Sequence, residues 1–576
     1  MNQTRVFLIF AWLMVATLLW MEWGKETAAP ATPTATTATT SSVPSASSPS
    51  VAATSAGVPA VPNAPPSMSA APVVAASGDS AAGTPVTVTT DVLKVVLVGG
   101  ELSQADLLKY PSTSDAGSPP VRLFDAEPAR HFVAQSGWVS NTGPAPSHEA
   151  GFVPETTGNA AASPGFTLAR GAASVVVPFV WTGANGVTIR RTYTFKRGDY
   201  VVDVRDDVVN AGTAPWQGFV YRQLSRVPRA LVSKGPMSAE SYSFQGAAWF
   251  SATDKYEKRK FDDFVDDGTL DKATTGGWIG MLQHHFFAAW IPGKGDASTF
   301  SLATPQGPAG PQYIIREVGP GVDVAPGATA STQARLWVGP KLVKQIEVQN
   351  VPGLDRAVDF SSFTPMAAIA GWLFWVLERI HALVGNWGWA IIGLVVLIKA
   401  AMYPLSAAQY KSMAKMRKFQ PRIAQLKERY GEDKQKFQQA MMELYKKEKI
   451  NPVGGCLPIL LQMPVFLALY WMLSESVELR HAPWIGWIQD LTARDPYFVM
   501  PVINMAVMWA TQKLTPLAPG MDPMQAKMMQ MMPLVFGVMF AFFPAGLVLY
   551  WITNSGLGLL QQWWMTRRYS EAPAAT

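Results

Sequence analysis

The second half of the chain contains long runs of apolar residues, and these constrain its fold more than any other feature. Inside a bilayer a backbone N–H or C=O finds no water, so each run has to satisfy its own hydrogen bonds as an α-helix. The pattern therefore predicts a polytopic α-helical membrane bundle. The runs are Met366–Val384, Trp387–Tyr410, Cys456–Leu473, Tyr497–Gln512, Met528–Phe543 and Ala545–Trp564.

Basic residues indicate the direction in which these runs cross the membrane. Residues 411–449 hold twelve Lys and Arg against five acidic residues, so the positive-inside rule predicts that they are cytoplasmic. An N-terminal apolar run, Val6–Trp23, is predicted to be an uncleaved anchor that leads the following residues outside. Only one further crossing can precede the basic stretch. Because Met366–Val384 carries Glu378, it is predicted to be an amphipathic helix on the outer interface, which leaves six spans with both termini cytoplasmic.

Two regions of different composition lie between the anchor and the apolar runs. Residues 27–84 are mostly Ala, Pro, Thr and Ser, which is typical of a flexible linker because so little apolar surface can be buried. Residues 85–352 show short alternating runs such as "GVTIRRTYTFKRGDYVVDVRDDVV", with a hairpin turn predicted at Arg197–Asp199. This alternation predicts a large extracytoplasmic β-sandwich of two packed antiparallel sheets.

The β region shows no catalytic or metal-binding pattern. His284 and His285 would point to opposite faces of a strand, so they are not expected to share a metal. Asp206–Asp207 and Asp262–Asp263 are expected in solvated turns or edges, since no spacing pairs them as acid and base. With a single cysteine, Cys456, and no Gly-rich phosphate loop, the chain is predicted to be neither an enzyme nor a user of cofactors. The net charge of +6 comes from basic residues beside membrane segments, so no nucleic-acid binding is predicted.

A lysine inside one apolar run is the strongest functional signal. Lys399 follows Trp387 by twelve residues, roughly 18 Å along a helix, which places it in the inner leaflet if Trp387 marks the outer boundary. A charge at that depth costs about 2.5 to 3.5 kcal/mol, and both snorkelling to the interface and a watery cavity can accommodate it. Polar residues in the later runs favour the cavity, although interhelical hydrogen bonding explains each one alone. The predicted hydrophilic groove consists of Lys399, Gln462, Asn504, Gln512 and Asn554.

The sequence around these residues resembles the YidC membrane-protein insertases, the Gram-negative branch of the YidC/Oxa/Alb family. The resemblance rests on "NWGWAIIGLVVLIKAAMYPLSAAQYKSMAKMRKF", "NPVGGCLPILLQMPVFLALYWML" and "DPMQAKMMQMMPLVFGVMFAFFPAGLVLYWITN", and covers nearly all of residues 350–566. It implies that the outer domain is a periplasmic β-supersandwich similar to sugar mutarotases. It also implies that Lys399 takes the place of a basic residue, often Arg, which lines a groove open to the cytoplasm and the lipid.

The resemblance implies a membrane-protein insertase and folding chaperone of the inner membrane, which works alone or with the Sec translocon and without nucleotide hydrolysis. The implied partners are newly made membrane proteins, membrane lipids and, through the cytoplasmic loops, the ribosome. A client's apolar helix would enter the lipid along the last spans. The expected client contacts are Met463, Phe466, Met539, Phe543 and Trp551.

Two other functions remain open from the sequence. An ion or solute transporter would also need an intramembrane lysine, but it predicts an outward-opening pathway and internal repeats. A tethered sugar-binding or sugar-modifying protein would place the activity in the β region alone. The methionines from Met521 to Met532 fit either adaptable packing or a surface for varied clients.

The predicted domain boundaries follow from these arguments, with a helical hairpin that turns near Gly431–Asp433 inside the basic stretch. The predicted order is a transmembrane anchor at 1–26, a linker at 27–84, the β-supersandwich at 85–352, an interfacial amphipathic helix at 353–385, the second span at 386–410, a cytoplasmic helical hairpin at 411–451, four further spans with their loops at 452–566 and a short cytoplasmic tail at 567–576.

Overall fold

The structure is a computed structural model of the 576-residue chain. The predicted anchor, Cys456 and most of the predicted linker lie outside the described residues. The described residues are 57–59, 83–149, 151–155, 165–228, 243–266, 270–360, 364–409, 419–430, 433–447, 457–514 and 523–570.

The β region forms two large sheets packed face to face, and every described pairing within them is antiparallel except that of β1 with β7. One sheet has the order β14-β17-β20-β11-β5-β3-β2-β1-β7 with β4 beside β3, and the other has the order β13-β12-β15-β16-β21-β10-β9-β8-β6. The strands are β1 Val86–Thr89, β2 Leu93–Val98, β3 Glu101–Pro111, β4 Pro120–Phe124, β5 Phe132–Ser140, β6 Val153–Pro154, β7 Gly165–Thr167, β8 Ser174–Thr182, β9 Val187–Lys196, β10 Val201–Asn210, β11 Trp216–Arg226, β12 Gly246–Ser251, β13 Lys255–Lys260, β14 Asp271–Thr275, β15 Trp278–Leu282, β16 Phe286–Pro292, β17 Ala297–Ala303, β18 Gln306–Gly307, β19 Gly310–Pro311, β20 Tyr313–Val324 and β21 Thr329–Pro340.

Alternation along the strands fills the space between the two sheets. On β9, for example, every second residue from Val187 to Phe195 points inward and is buried. The predicted hairpin is present between β9 and β10, and Gly198 has φ +70°, a conformation that glycine takes without strain. The largest buried side chains are six tryptophans: Trp138, Trp216, Trp249, Trp278, Trp290 and Trp337.

Asp206 and Asp207 were both expected to be solvated, but Asp206 is buried. Asp206 is only 3% exposed and pairs with Arg191, its direct neighbour on β9, with N–O distances of 2.7 Å. Successive residues of a strand point to opposite faces, so Asp206 faces the core while Asp207 pairs with Arg205 on the outside. The expectation was therefore wrong for Asp206. It holds for Asp262 and Asp263, which are exposed.

Helices dominate the chain after the sandwich. By length and mean hydropathy, α3 is the one described helix that could cross a bilayer alone, and α4 with α5 qualifies as a second, broken span. The helices are α1 Asp263–Asp266, α2 Val343–Val348, α3 Thr364–Val384, α4 Trp387–Ala401, α5 Tyr403–Gln409, α6 Gln420–Tyr430, α7 Lys434–Lys447, α8 Leu457–Glu475, α9 Val499–Leu514, α10 Pro523–Phe540 and α11 Ala545–Ser570.

The predicted continuous run Trp387–Tyr410 is bent instead. The axes of α4 and α5 meet at 60°, and Met402 between them has φ −85° and ψ 1°. Pro404 explains the bend, because its ring lacks the N–H that would continue the helical ladder and clashes with the preceding turn. Lys399 consequently lies in the last turn of α4 rather than within a longer helix.

The helices pack into a bundle around α11, which contacts α4 and α9, while α3 packs on α4 and α8. The basic stretch forms two helices, α6 and α7, which pack on each other through Ile423 and Tyr445. Asp433 begins α7 by accepting the backbone N–H groups of Gln435 and Lys436 at 3.1 and 3.0 Å.

The sandwich is joined to the bundle at the end of α8. The carbonyl oxygen of Ser474 lies 2.9 Å from Nε2 of His284 and 3.1 Å from Nε2 of His285. The two rings stack with centroids 3.7 Å apart, so the expectation of opposite faces was wrong. These residues lie in the turn between β15 and β16, where His285 has φ +67°, and strand alternation does not apply. Arg480 adds a second link by donating to the carbonyl oxygens of Pro111 and Ser112.

Candidate functional site

One face of α11 carries the polar residues that the bundle encloses. Tyr550, Asn554, Gly558 and Gln562 follow one another at four-residue spacing and therefore share a face of the helix. The side chain of Gln462 on α8 donates to Oδ1 of Asn554 at 2.9 Å and lies 3.5 Å from the hydroxyl of Tyr550. This face of α11 therefore makes polar contacts with α8.

Lys399 reaches the same face of α11 from α4. Its Nζ lies 3.7 Å from the point where a β-carbon on Gly558 would stand, so the glycine leaves room for the ammonium group. Carbonyl groups at a helix C-terminus carry partial negative charge and favour a cation in the last turn, where Lys399 lies. Among the described residues, no carboxylate forms an ion pair with Lys399.

Helix α11 is buried at its start and partly exposed further along. Its first turns, from Ala545 to Tyr550, are fully buried, whereas each residue from 551 to 559 is partly exposed. The buried end is covered by the loop before α9, whose carbonyl oxygens at Leu491 and Ala493 accept the N–H groups of Gly546 and Ala545 at 2.8 and 2.7 Å. The part of α11 that carries Asn554 and Gly558 is therefore more exposed than its first turns.

The other predicted groove residues lie elsewhere on the helices. Asn504 of α9 is fully buried, and its Nδ2 faces the sulfur of Met508 on the same helix at 3.7 Å. Gln512 is partly buried near the end of α9. The described contacts thus join Lys399, Gln462 and Asn554 through α11 and do not join Asn504 to them.

Gln562 was missed in the sequence analysis. It is only 4% exposed, although it lies close to the charged end of α11. The four-residue spacing from Tyr550 through Asn554 and Gly558 would have indicated it, because residues at that spacing share a helical face.

Of the five expected client contacts, Met463 is exposed, Met539 is partly buried, and the other three belong to an aromatic cluster. Met463 is 42% exposed on α8. The ring of Trp551 lies 5.0 Å from Phe466 and 5.3 Å from Phe540, and Phe540 lies 5.6 Å from Phe543. These rings pack α8, α10 and α11 together, and like Met539 they are only partly exposed or buried.

A more exposed apolar surface lies on α10. Met524, Met528, Met531 and Met532 are all exposed, so the surface interpretation of the methionine run fits these four better than core packing. The side chains of Met521 and Met529 lie outside the described residues. The exposed stripe recurs at three- and four-residue spacing and includes Met528, Met531, Val535, Val538 and Phe542.

Together, the sandwich and the apolar helices define a membrane protein with a large β domain. A family model described as the YidC periplasmic domain matches residues 85–376, and one described as the 60Kd inner membrane protein matches residues 379–572.

Full-length relatives carry the same assignment. A membrane protein insertase YidC of Stenotrophomonas maltophilia is 60% identical over 100% of this chain and 98% of the relative. One from Xanthomonas euvesicatoria is 58% identical over 100% of this chain and 99% of the relative. A solved structure described as an active YidC insertase with the first transmembrane domain resolved covers 83% of this chain and 94% of its own at 20% identity and a TM-score of 0.35.

The chain belongs to the YidC family of membrane protein insertases, and the resemblance stated above is confirmed. It is a membrane protein insertase of the inner membrane, with a periplasmic β domain.

Proposed function

We propose that this insertase receives the polar tails of its clients in the groove lined by Lys399, Gln462 and Asn554, and that the ammonium group of Lys399 attracts tails with negative charge. The observation that carries the proposal is the place of Lys399, beside Gly558 on the open part of α11. The action needs no nucleotide, because partitioning of the client's apolar helix into lipid drives the later step. The protein acts as an insertase and folding chaperone, not as an enzyme.

The short helices beside the groove support this action. α9 has 16 residues and α10 has 18, which correspond to about 24 and 27 Å against a hydrocarbon core of about 30 Å. A bilayer that thins to match them shortens the path without water. A groove that is wet from one side shortens it further, so the polar tail crosses less hydrocarbon.

An inside-negative membrane potential then favours the outward movement of an acidic tail. The potential contributes about 2.3 kcal/mol per charge per 100 mV. The lysine concentrates such tails at the groove and releases them more readily than a bidentate guanidinium would, because an ammonium group binds a carboxylate as a point charge. Clients with acidic tails therefore depend most on Lys399.

The proposal includes six spans with both termini cytoplasmic, and α3 along the outer surface of the membrane. The ion pair of Glu378 on α3 with Lys344, at 2.7 Å, supports the position of α3, because it ties this helix to the end of the sandwich. The ring of His381 on α3 also stacks on Trp387 at 3.9 Å. Newly made membrane proteins, lipids and the Sec translocon are the proposed partners, with the ribosome reached through α6 and α7.

The test of the groove pairs two mutations with two kinds of client. Lys399→Ala should impair the insertion of clients with acidic tails, and the defect should shrink when those tails are neutralised. Lys399→Arg should retain most of the activity because it keeps the charge. Protease protection of paired acidic and neutral clients in liposomes measures both effects. Equal insertion by the wild type and Lys399→Ala, at matched protein levels, would remove the lysine from the mechanism.

The topology is tested with single cysteines in a Cys456→Ser background. An impermeant thiol reagent applied from outside should label Ala116→Cys in the sandwich and Ile485→Cys in the loop before α9, both at exposed positions. It should leave Glu428→Cys on α6 unlabelled until the membrane is opened. Labelling of Glu428→Cys in intact cells contradicts the six-span arrangement.

A further inference from the structure

Three residues within the predicted linker lie against the sandwich. The segment Gly57–Pro59 is partly buried, far in sequence from the strands it touches. The Nη2 of Arg316 on β20 donates a hydrogen bond of 2.5 Å to the carbonyl oxygen of Gly57, across 259 residues of sequence. A linker of this composition is not expected to make a specific contact. The contact between Gly57 and Arg316 therefore needs an explanation from the residues around it.

A chain of hydrogen bonds holds Arg316 in position for this contact. Its Nε donates to Oε1 of Gln223 at 2.7 Å, and Nε2 of Gln223 donates to Oε1 of Gln135, also at 2.7 Å. Gln135 in turn donates to Glu101 at 2.7 Å. Gln223 is fully buried and Gln135 nearly so. The guanidinium is therefore oriented before any ligand arrives, and its outer nitrogen faces Gly57.

His148 forms a second wall of the site. It is 7% exposed, and its Cε1 and Nε2 each lie 3.6 Å from where a β-carbon on Gly57 would stand. Its Nδ1 lies 2.7 Å from the hydroxyl of Tyr221, which fixes the ring. Burial lowers the pKa of His148 to about 4, so the ring is neutral at pH 7 and does not repel Arg316.

The bound segment has the backbone that this site requires. Gly57 has φ +140°, in the range that favours glycine and strains other residues. Burial lowers the pKa of the Arg316 guanidinium to about 10. The carbonyl of Gly57 supplies this buried group with a neutral hydrogen-bond acceptor. Among the described residues, no carboxylate forms an ion pair with Arg316. A neutral backbone carbonyl consequently satisfies the arginine at this position.

We infer that the outer surface of the sandwich around His148, Gln223 and Arg316 is a binding site for an extended, uncharged peptide segment, and that Gly57–Pro59 of the same chain occupies it. Arg316 recognises the backbone carbonyl of a glycine, and His148 packs against the glycine itself. This peptide site is separate from the groove at Lys399, and it goes beyond the insertase activity.

The test follows the mobility of the segment in the full-length protein. A nitroxide label is placed at Val58→Cys in a Cys456→Ser background, and its spectrum is recorded in detergent and in liposomes. The parent should show an immobilised component. Arg316→Met should lower the ratio of bound to free segment about tenfold to a hundredfold, the factor for one lost hydrogen bond to a charged group. A fully mobile label in the parent overturns the proposal.

A second variant leaves every residue of the sandwich unchanged. Gly57→Ala should release the label because alanine is strained at φ +140°, whereas the control Gly78→Ala, elsewhere in the linker, should not. This variant decides the question even if Arg316→Met disturbs folding. An immobilised label that persists in Gly57→Ala overturns the proposal.

Competition then tests whether the site accepts a separate peptide. A synthetic peptide of residues 54–60, Thr-Ser-Ala-Gly-Val-Pro-Ala, is added at several times the effective concentration of a tethered segment, which is of millimolar order. It should mobilise the label in the parent protein. The same peptide with alanine in place of glycine should leave the label immobilised. Equal effects of the two peptides contradict the recognition of glycine by this site.

Discussion

The sandwich and the helical bundle treat buried charge in opposite ways. In the sandwich, Arg191 pairs with Asp206 and Arg222 pairs with Glu317, and all four side chains are almost completely buried. In the bundle, Lys399 lies against Gly558, and no described carboxylate is paired with it. The two sandwich pairs neutralise their charges internally, whereas Lys399 has no described carboxylate partner.

This difference separates a structural role from a functional one. A buried charge without a partner is costly, and the sandwich avoids the cost with pairs and further hydrogen bonds such as that from Trp138 to Asp206. Lys399 is partly exposed, and under the proposed function a groove open to water would lower this cost. Mutations of the paired charges should therefore affect folding, while mutations around Lys399 should affect client insertion.

The largest expected effect tests the sandwich side of this comparison. Asp206→Ala leaves Arg191 charged and unpaired in the core, so the free energy of unfolding should fall by about 3 to 5 kcal/mol. The matched control is Asp203→Ala on the same strand, which removes an exposed pair with Lys196 and should cost at most about 1 kcal/mol. Denaturant unfolding of the purified chain, followed by tryptophan fluorescence, measures both. Similar losses in the two variants would show that burial does not distinguish these pairs.

An intermediate effect tests the groove side. Gly558→Leu fills the space beside the ammonium group of Lys399, so insertion of acidic-tailed clients should fall about tenfold, which corresponds to roughly 1.4 kcal/mol. Gly558→Ala should be nearly silent, since its β-carbon would make only an ordinary contact at 3.7 Å.

The control for this prediction lies two residues away on the same helix. Gly556→Leu adds the same side chain where no atom lies within 4 Å of the added β-carbon, so it should retain activity. Comparable defects in Gly556→Leu and Gly558→Leu would mean that helix α11 tolerates no leucine here, and the space beside Lys399 would have no special role.

The smallest expected effect concerns the junction between the two regions. Burial lowers the pKa of His285 well below its usual value, and the nearby His284, Arg480 and Lys341 add to this shift. A histidine with a depressed pKa stabilises the fold fully above about pH 6.5, and this contribution is lost as the pH falls toward its folded value. Stability should therefore decrease on acidification by at most about 1.4 kcal/mol per pH unit for this group.

A variant isolates that contribution from other groups of the junction. Burial raises the pKa of Glu478 to about 7, so its contribution has the opposite sign and is lost as the pH rises. His285→Asn keeps a residue that tolerates φ +67° and removes the titrating ring. Between pH 5.5 and 6.5 the slope of melting temperature against pH should be more negative in the variant than in the wild type, because the rise contributed by His285 is gone while the fall contributed by Glu478 remains. Parallel curves would exclude His285 as a source of the pH dependence.

Much of the architecture was predictable because it depends on local pattern. Alternation indicated the strands, apolar runs indicated the helices, and Arg197–Asp199 indicated the hairpin. Pro404 indicated the bend after Ala401, but the long apolar run was predicted to be one continuous helix. Alternation also placed Asp206 on the same face of β10 as Val204 and Val208, which the expectation of a solvated carboxylate overlooked.

For the groove, the sequence identified residue types but not their neighbours. Lys399 was evident as a charge among apolar residues, and Gln462 and Asn554 as polar residues in later runs. The hydrogen bond between Gln462 and Asn554 joins helices 92 residues apart in sequence. The exposed methionines of α10 likewise became distinguishable from core residues only when the helix faces were assigned.

By itself, the sequence determined the family, the division into a β domain and a helical bundle, and the presence of Lys399 within an apolar run. These follow from composition, period and motif, which are properties of neighbouring residues. Tertiary structure alone decided that His284 and His285 meet the carbonyl oxygen of Ser474, and that Gly57 rests on Arg316. The physical reason is that each of these contacts joins segments that sequence separates widely, and only the packing of whole sheets and helices brings them within hydrogen-bonding distance.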